Sequence, residues 1–280
     1  MSMPGKYKKR AEQCAAQALA LLLGLLVVFP VLYGFLGAFK APDEFASWPP
    51  TFLPRSFRHT DNFHAVFSTA PMLRYLLNSL LVAVGGSVLR LFFALLAAYA
   101  LTFFSFRGKR LFFVLMMGTM MLPGDLVLIT NYRTATLLGL NNTWLGLVIV
   151  SLVGASQMLL LVQRFRQAPV ALREAAQLDG CGDWRFLISI LVPVSVPVLA
   201  VLFFQCFVSL WNSYLWPLVI TSEDSMRTVQ VGIAMLTTYD GTNFHTVLAG
   251  VTVALFPILL LFLVLRRRFT SAMTAGAVVG

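Results

Sequence analysis

Apolar and polar positions follow one another along this chain in long blocks, not at the short periods of a half-buried strand or a soluble helix. Six stretches are almost wholly apolar: residues 19–39, 76–104, 111–130, 144–162, 194–220 and 247–265. Each comes near the ~20 residues an α-helix needs to cross the hydrocarbon of a bilayer. Only helices and closed barrels satisfy every backbone N–H and C=O in lipid. The pattern therefore predicts an all-α integral membrane protein with six transmembrane helices. It divides the chain into an N-terminal segment (1–18), a six-helix domain (19–265) with a polar loop at 163–193, and a C-terminal tail (266–280). Lys6, Lys8, Lys9 and Arg10 resemble the basic start of a signal peptide. The apolar stretch behind them is longer than the usual ~7–15 residues and no small-x-small cleavage site follows, so it is read as a retained helix.

Composition agrees with lipid as the solvent. Only 11% of residues are charged and 59% are hydrophobic, against roughly 25% and 45–50% in soluble domains. The formal charge of +10 raises the question of nucleic acid, but that reading needs a basic face on a folded domain. Here the cations stand in clusters between apolar blocks: Arg107, Lys109 and Arg110; Arg164, Arg166, Arg173 and Arg185; Arg266, Arg267 and Arg268. With the basic N-terminus inside, these all fall on one side, and the opposite loops hold far fewer. The positive-inside rule then places both termini in the cytoplasm, with lipid and not nucleic acid around the chain. Cys14, Cys181 and Cys206 have no metal-ligand spacing and no even count for pairing, so neither a zinc site nor a disulfide framework is expected.

Polar groups inside the hydrocarbon should face the bundle interior or a cavity. In the fifth apolar stretch Gln205, Ser209, Asn212 and Trp216 recur at helical spacing, a polar stripe ending in an indole. Such a stripe could line a path for a sugar-sized solute, or it could bond to neighbouring helices. In the second stretch Ser79, Ala83, Gly86, Arg90, Ala94 and Ala97 share a face of small residues interrupted by Arg90. Asp125, behind Pro123-Gly124, is the one acid within an apolar block and the expected partner of Arg90. The outer segment 40–75 is rich in proline and aromatic residues and is expected to pack as short helices or irregular loop.

Between the fourth and fifth stretches the polar loop holds a short helix. Pro169 suits its first turn, Gly180 suits the left-handed position just past its end, and the residues between are good helix formers. Ala171, Ala175 and Leu178 fall on one side. A helix lying on the bilayer would carry bulky apolar residues and lysines; these small alanines suit a groove in a protein instead.

The same loop resembles a family signature. Glu174-Ala175-Ala176, three residues, Gly180, nine residues, Ile190, one residue and Val192-Pro193 match the EAA motif of ABC importer permeases, with Val192 where Leu is usual. Residues 211–217 are similar to the Trp-Asn-x-Tyr-Leu-Trp-Pro segment of carbohydrate-type permeases, and 138–143 to their Leu-Gly-Leu-x-Asn-Thr turn. Arg74, Asn78 and Ser79 resemble the entry to their second helix. The tail 271–280 resembles that of maltose-permease-like subunits, departing at Met273, Ala277 and Val279.

The resemblance implies a type I importer permease fold with a cytoplasmic coupling helix between helices 4 and 5. It implies contact with an ATP-binding subunit dimer through Pro169, Leu172, Glu174, Ala175, Ala176, Asp179, Gly180 and Asp183. It further implies a bacterial inner membrane as the location, a second homologous permease, an extracytoplasmic substrate-binding protein, and a sugar or glycerol-3-phosphate as solute. Asn78, Gln205, Ser209, Asn212 and Trp216 are the candidates to line the pathway. The chain carries no Gly-x-x-x-x-Gly-Lys-Ser/Thr phosphate loop, so ATP and Mg belong to the partner, and no cofactor or catalytic constellation is expected here. The competing class is an ion-coupled secondary transporter, which would need membrane-embedded acids and repeats.

Overall fold

A computed structural model describes the backbone of residues 5–49, 51–239 and 244–277, and the side chains of 12–45, 47–49, 51–124, 126–237 and 244–269. All the regular secondary structure of the described residues is helical, with no strand. Four helical stretches are long and apolar enough to cross a membrane: Glu12–Gly37, Met72–Phe103, Asp183–Trp211 and Phe244–Phe269. The first lies in α1 (Gly5–Gly37), the second is α4 (Met72–Phe103), and the fourth lies in α14 (Phe244–Ala277).

Two of the six expected spans are broken instead of continuous. The stretch 111–130 becomes α5 (Lys109–Thr119), a 3₁₀ turn at Gly124–Val127, and α6 (Leu128–Leu137). The break falls at Pro123-Gly124, where a missing N–H and a residue without Cβ end an α-helix. The stretch 144–162 becomes α7 (Trp144–Ile149) and α8 (Ala155–Arg166), interrupted around Ser151 and Gly154. Thr143 caps α7 by accepting from the Gly146 N–H at 3.0 Å.

The fifth span is displaced toward the N-terminus. It begins at α10 (Asp183–Phe186), passes through a π-turn at Leu187–Leu191 and continues as α11 (Val192–Trp211). The widened turn precedes Pro193, which cannot donate to the carbonyl four residues back. Helix α11 stops at Trp211, short of residue 220, and α12 (Leu215–Ile220) is a separate piece.

The chain forms two compact units. One comprises Met1–Ala70 with Ile233–Leu255. Its proline- and aromatic-rich segment does fold as short helices, α2 (Pro42–Ala46) and α3 (Asp61–Thr69). Buried Asn62 donates to the Ala38 and Lys40 carbonyls at 2.8 and 2.9 Å, tying the end of α1 to α3. Lys40 is itself buried; its ammonium stands against the Tyr33 and Phe45 rings and donates to the Thr51 carbonyl.

The other unit comprises Pro71–Gly232 with Phe256–Gly280. Its core forms where α4 packs against α8 and α11, with Ala94, Ala98, Met158, Leu161 and Leu202 buried together. Gly86 allows the close approach of α4: a Cβ there would stand 2.6 Å from Val148 and 2.8 Å from Leu210.

The two ends of α4 are tied to different loops, and this orders the unit. At the N-terminal end Arg74 donates to the Ser225 carbonyl at 2.9 Å, and Asn78 to Ser225 and Arg227 at 2.9 and 2.8 Å. Asn142 joins the same end, accepting from the Ser222 and Glu223 N–H groups at 2.7 and 3.2 Å. At the C-terminal end, Tyr99 and Phe103 meet Asp183 and Arg173 instead. Residues 142 and 222 therefore lie at one end of α4, and residues 173 and 183 at the other.

Candidate functional site: the α9 surface

Helix α9 (Val170–Leu178) is the expected loop helix, and its ends follow from its sequence. Pro169 stands at the N-cap and not in the first turn; its extended backbone (φ −57°, ψ 133°) begins the helix without requiring an N–H. At the other end Gly180 takes φ +70°. The Gly180 N–H reaches the Gln177 carbonyl at 3.0 Å and the Cys181 N–H reaches Ala176 at 2.8 Å. These are the two bonds of a Schellman cap, which a residue with Cβ strains. The chain is thus turned sharply into α10.

Only one side of α9 is covered. Ala176 is buried against Tyr99, Phe165 and Phe186, whereas Ala171, Glu174 and Ala175 are exposed. Val170 and Leu178 on the same outer surface are 73% and 89% exposed, and Trp184 just beyond is 58% exposed. The side expected to enter a groove is the side left open. Glu174 makes no ion pair among the described residues.

The covered side is braced to α4. The Tyr99 hydroxyl donates to the Asp183 backbone carbonyl at 3.0 Å and lies 3.3 Å from its carboxylate. The Arg173 guanidinium lies 3.7 Å from the same carboxylate, donates to the Phe103 carbonyl at 3.2 Å and stacks 5.0 Å from the Phe103 ring. Tyr99, Phe103 and Arg173 were not singled out by motif. The available signal was aromatic spacing of four at the end of a spanning helix, where such rings often mark the boundary with water. Of the expected coupling residues, Pro169, Glu174, Ala175, Asp179 and Gly180 are exposed, Asp183 is exposed while bonded to the brace, Leu172 is half-buried and Ala176 is buried.

The polar stripe is shorter than its spacing implied. Gln205, Ser209 and Asn212 are exposed together along α11, and Asn212 accepts from Gln230 at 3.1 Å. Trp216 departs from it. Helix α11 has already ended, and the indole is buried, donating from Nε1 to the Gly146 carbonyl at 3.0 Å. Asn78 is buried too and holds the 225–227 loop. Arg90 packs against Gly154, and its buried Nε has no hydrogen-bond partner among the described residues. Its expected partner, the Asp125 carboxylate, lies outside the described side chains, as do the side chains of the tail 271–280.

Comparison with known proteins places this geometry. The chain is 32% identical over 261 residues to the sn-glycerol-3-phosphate transport system permease protein UgpE of Pectobacterium atrosepticum, covering 90% of this chain and 93% of that one. It is 29% identical over 260 residues to the arabinooligosaccharides transport system permease protein AraQ of Halalkalibacterium halodurans, covering 92% and 93%. Its fold matches a chain from a bacterial ABC transporter involved in import of the acidic polysaccharide alginate, with a TM-score of 0.80 at 22% identity over 96% of this chain and 100% of that one. Residues 90–274, which include α9, the α11 stripe and most of α4's partners, match the family described as the binding-protein-dependent transport system inner membrane component. This chain belongs to that family of inner-membrane transport components.

Proposed function

We propose that this chain is one of two homologous permeases of a binding-protein-dependent ABC importer for a sugar or a glycerol-3-phosphate-like solute. The solute would arrive on an extracytoplasmic binding protein, and ATP and Mg would be held by an ATPase dimer docked on α9. The observation that carries the reading is the shape of α9: a short helix capped at both ends, open on its outer face and braced on its inner face to a membrane-spanning helix. A push on the open face then reaches Asp183 and α4 through Tyr99 and Arg173 without first bending the loop. The named relatives support the solute class, since they include glycerol-3-phosphate and arabinooligosaccharide permeases.

The ties at the ends of α4 support six crossings. The chain leaves α4 at the α9 end, reaches Asn142 at the opposite end, and returns to Arg173. The broken pairs α5–α6 and α7–α8 would each cross once. With α4, α10–α11, α1 and α14 this makes six. The basic clusters place α9 and both termini in the cytoplasm.

Copurification of the full chain in mild detergent tests the reading, with Glu174→Ala alongside. An ATP-binding subunit and a second permease are expected with the wild type, and weaker ATPase recovery or coupling with the variant. A chain that purifies alone, with uptake driven by an ion gradient and indifferent to ATP, would show an ion-coupled transporter instead.

A further inference from the structure

Of the cavities outside α9 and the α11 stripe, one is lined by a cluster of cations. It lies where the end of α4, the start of α5 and the end of α8 meet, with a volume of about 530 Å³. Leu101, Phe106 and Phe113 supply apolar walls, and Lys109, Arg110 and Arg166 supply three cations. Gly108, with φ +85°, makes the turn that sets Lys109 and Arg110 at the head of α5 facing this space. No acidic side chain lines it, and none of the three cations is ion-paired among the described residues. Lys109 gives one N–H to the Phe104 carbonyl at 2.8 Å and keeps the others.

The depth of this cavity decides its ligand. Phe103 is the last residue of a membrane-spanning helix, so the cations stand at the boundary between hydrocarbon and water. A soluble sugar would gain little from three unpaired cations. A polypeptide could supply carboxylates, but it would leave the apolar walls to lipid tails. An anionic phospholipid satisfies both halves of the site at once: phosphate oxygens at the cations and the top of an acyl chain against Leu101, Phe106 and Phe113. Basic pockets between membrane helices hold lipid headgroups for this reason. We infer that this cavity is a binding site for the headgroup of an anionic phospholipid such as phosphatidylglycerol. The site steadies the junction of α4 and α8, which together bury Ala176 of α9. The inference requires only that α4 spans the membrane, and it stands whatever the solute or the coupling partner.

The test is native mass spectrometry of the full chain, with whatever subunits copurify, after exchange into phosphatidylcholine doped with phosphatidylglycerol. Wild type should retain phosphatidylglycerol. At roughly a factor of five for each cation near the surface, Lys109→Gln/Arg110→Gln/Arg166→Gln should retain it about 100-fold more weakly. Arg110→Gln alone, at an exposed side chain, should weaken retention about fivefold and guards against a misfolded triple variant. Arg107→Gln, in the same turn but outside the cavity, should match wild type. Equal retention in all four proteins would show that these cations do not hold the lipid, and a loss with Arg107→Gln as large as with Arg110→Gln would show diffuse surface attraction; either overturns the site. Displacement by soluble glycerol phosphate would show a free-anion site instead. Loss of a copurifying subunit from the triple variant, with lipid retained, would show a protein contact.

Discussion

Arg90 is the residue whose energetics are least explained by its own subunit. It lies near the middle of α4, and its buried Nε has no hydrogen-bond partner among the described residues. Ser87, one turn earlier, also has no hydrogen-bond partner for its buried hydroxyl among the described residues. A cation at that depth costs about 2.5–3.5 kcal/mol on insertion scales. Arg90→Met keeps the length of the side chain and removes the charge. It is expected to raise the thermal unfolding midpoint in detergent while reducing uptake, since a costly group kept for packing alone would be replaced without loss. A lower midpoint would instead show that a carboxylate, with Asp125 the candidate, holds Arg90 in the folded chain. Gly180 presents the opposite case, a residue whose reason is visible. Its left-handed backbone strains any side chain by about 1–2 kcal/mol. Gly180→Val should therefore loosen the α9 cap, and faster amide exchange at Cys181 than in wild type would register it. Unchanged exchange there would mean the cap does not hold the turn.

Among the elements, the contact of α9 with α4 is the one on which the proposed coupling to an ATPase subunit depends. Tyr99→Phe removes a hydroxyl that donates to Asp183, a loss of about 1 kcal/mol. Arg173→Met removes a partly exposed ion pair, a bond to the Phe103 carbonyl and a stacked cation, together on the order of 1–2 kcal/mol. Either variant should keep the ATPase subunit bound while ATP turnover continues with less solute moved per ATP. Loss of subunit binding to the same degree as with Glu174→Ala would place these residues in the docking surface instead. The helix itself was legible in the sequence, because Pro169, Gly180 and the alanines between them specify its ends and its faces. The brace was not, since Tyr99 and Asp183 are far apart in the chain and meet only once α4 and α10 are packed. For the same reason hydropathy located the apolar blocks but not the breaks at Pro123-Gly124 and 150–154. Hydropathy measures transfer to lipid, and a broken helix is as apolar as a continuous one. The stripe on α11 was over-read for a related reason: helical spacing held from Gln205 to Trp216, but the helix ends before the indole.

For the whole molecule, the proposed six crossings rest on which loops share an end of α4, and that makes them open to direct measurement. Asn142 and Ser222 are bonded to each other, and the 225–227 loop is bonded to Arg74 and Asn78, so these segments must face the same compartment. Asp183 is bonded to Tyr99 at the opposite end of a helix of 32 residues, about 48 Å long at 1.5 Å per residue and so long enough to span a bilayer. Cys14 is exposed, Cys181 is partly so, and Cys206 is buried, which provides natural reporters. A membrane-impermeant thiol reagent should label Cys14 and Cys181 in inverted vesicles and neither in intact cells stripped of their outer barrier. In a background with both replaced by serine, Leu138→Cys and Glu223→Cys should label from the outside only. Leu138 decides between topologies. If α5–α6 dipped into the membrane and returned to the same face, it would label with Cys181, and the chain would have four crossings. Labelling with Glu223→Cys requires that each broken pair cross once. The interruptions at Pro123-Gly124 and 150–154 then lie within crossings, where freed backbone groups are tolerated only if protein or water meets them.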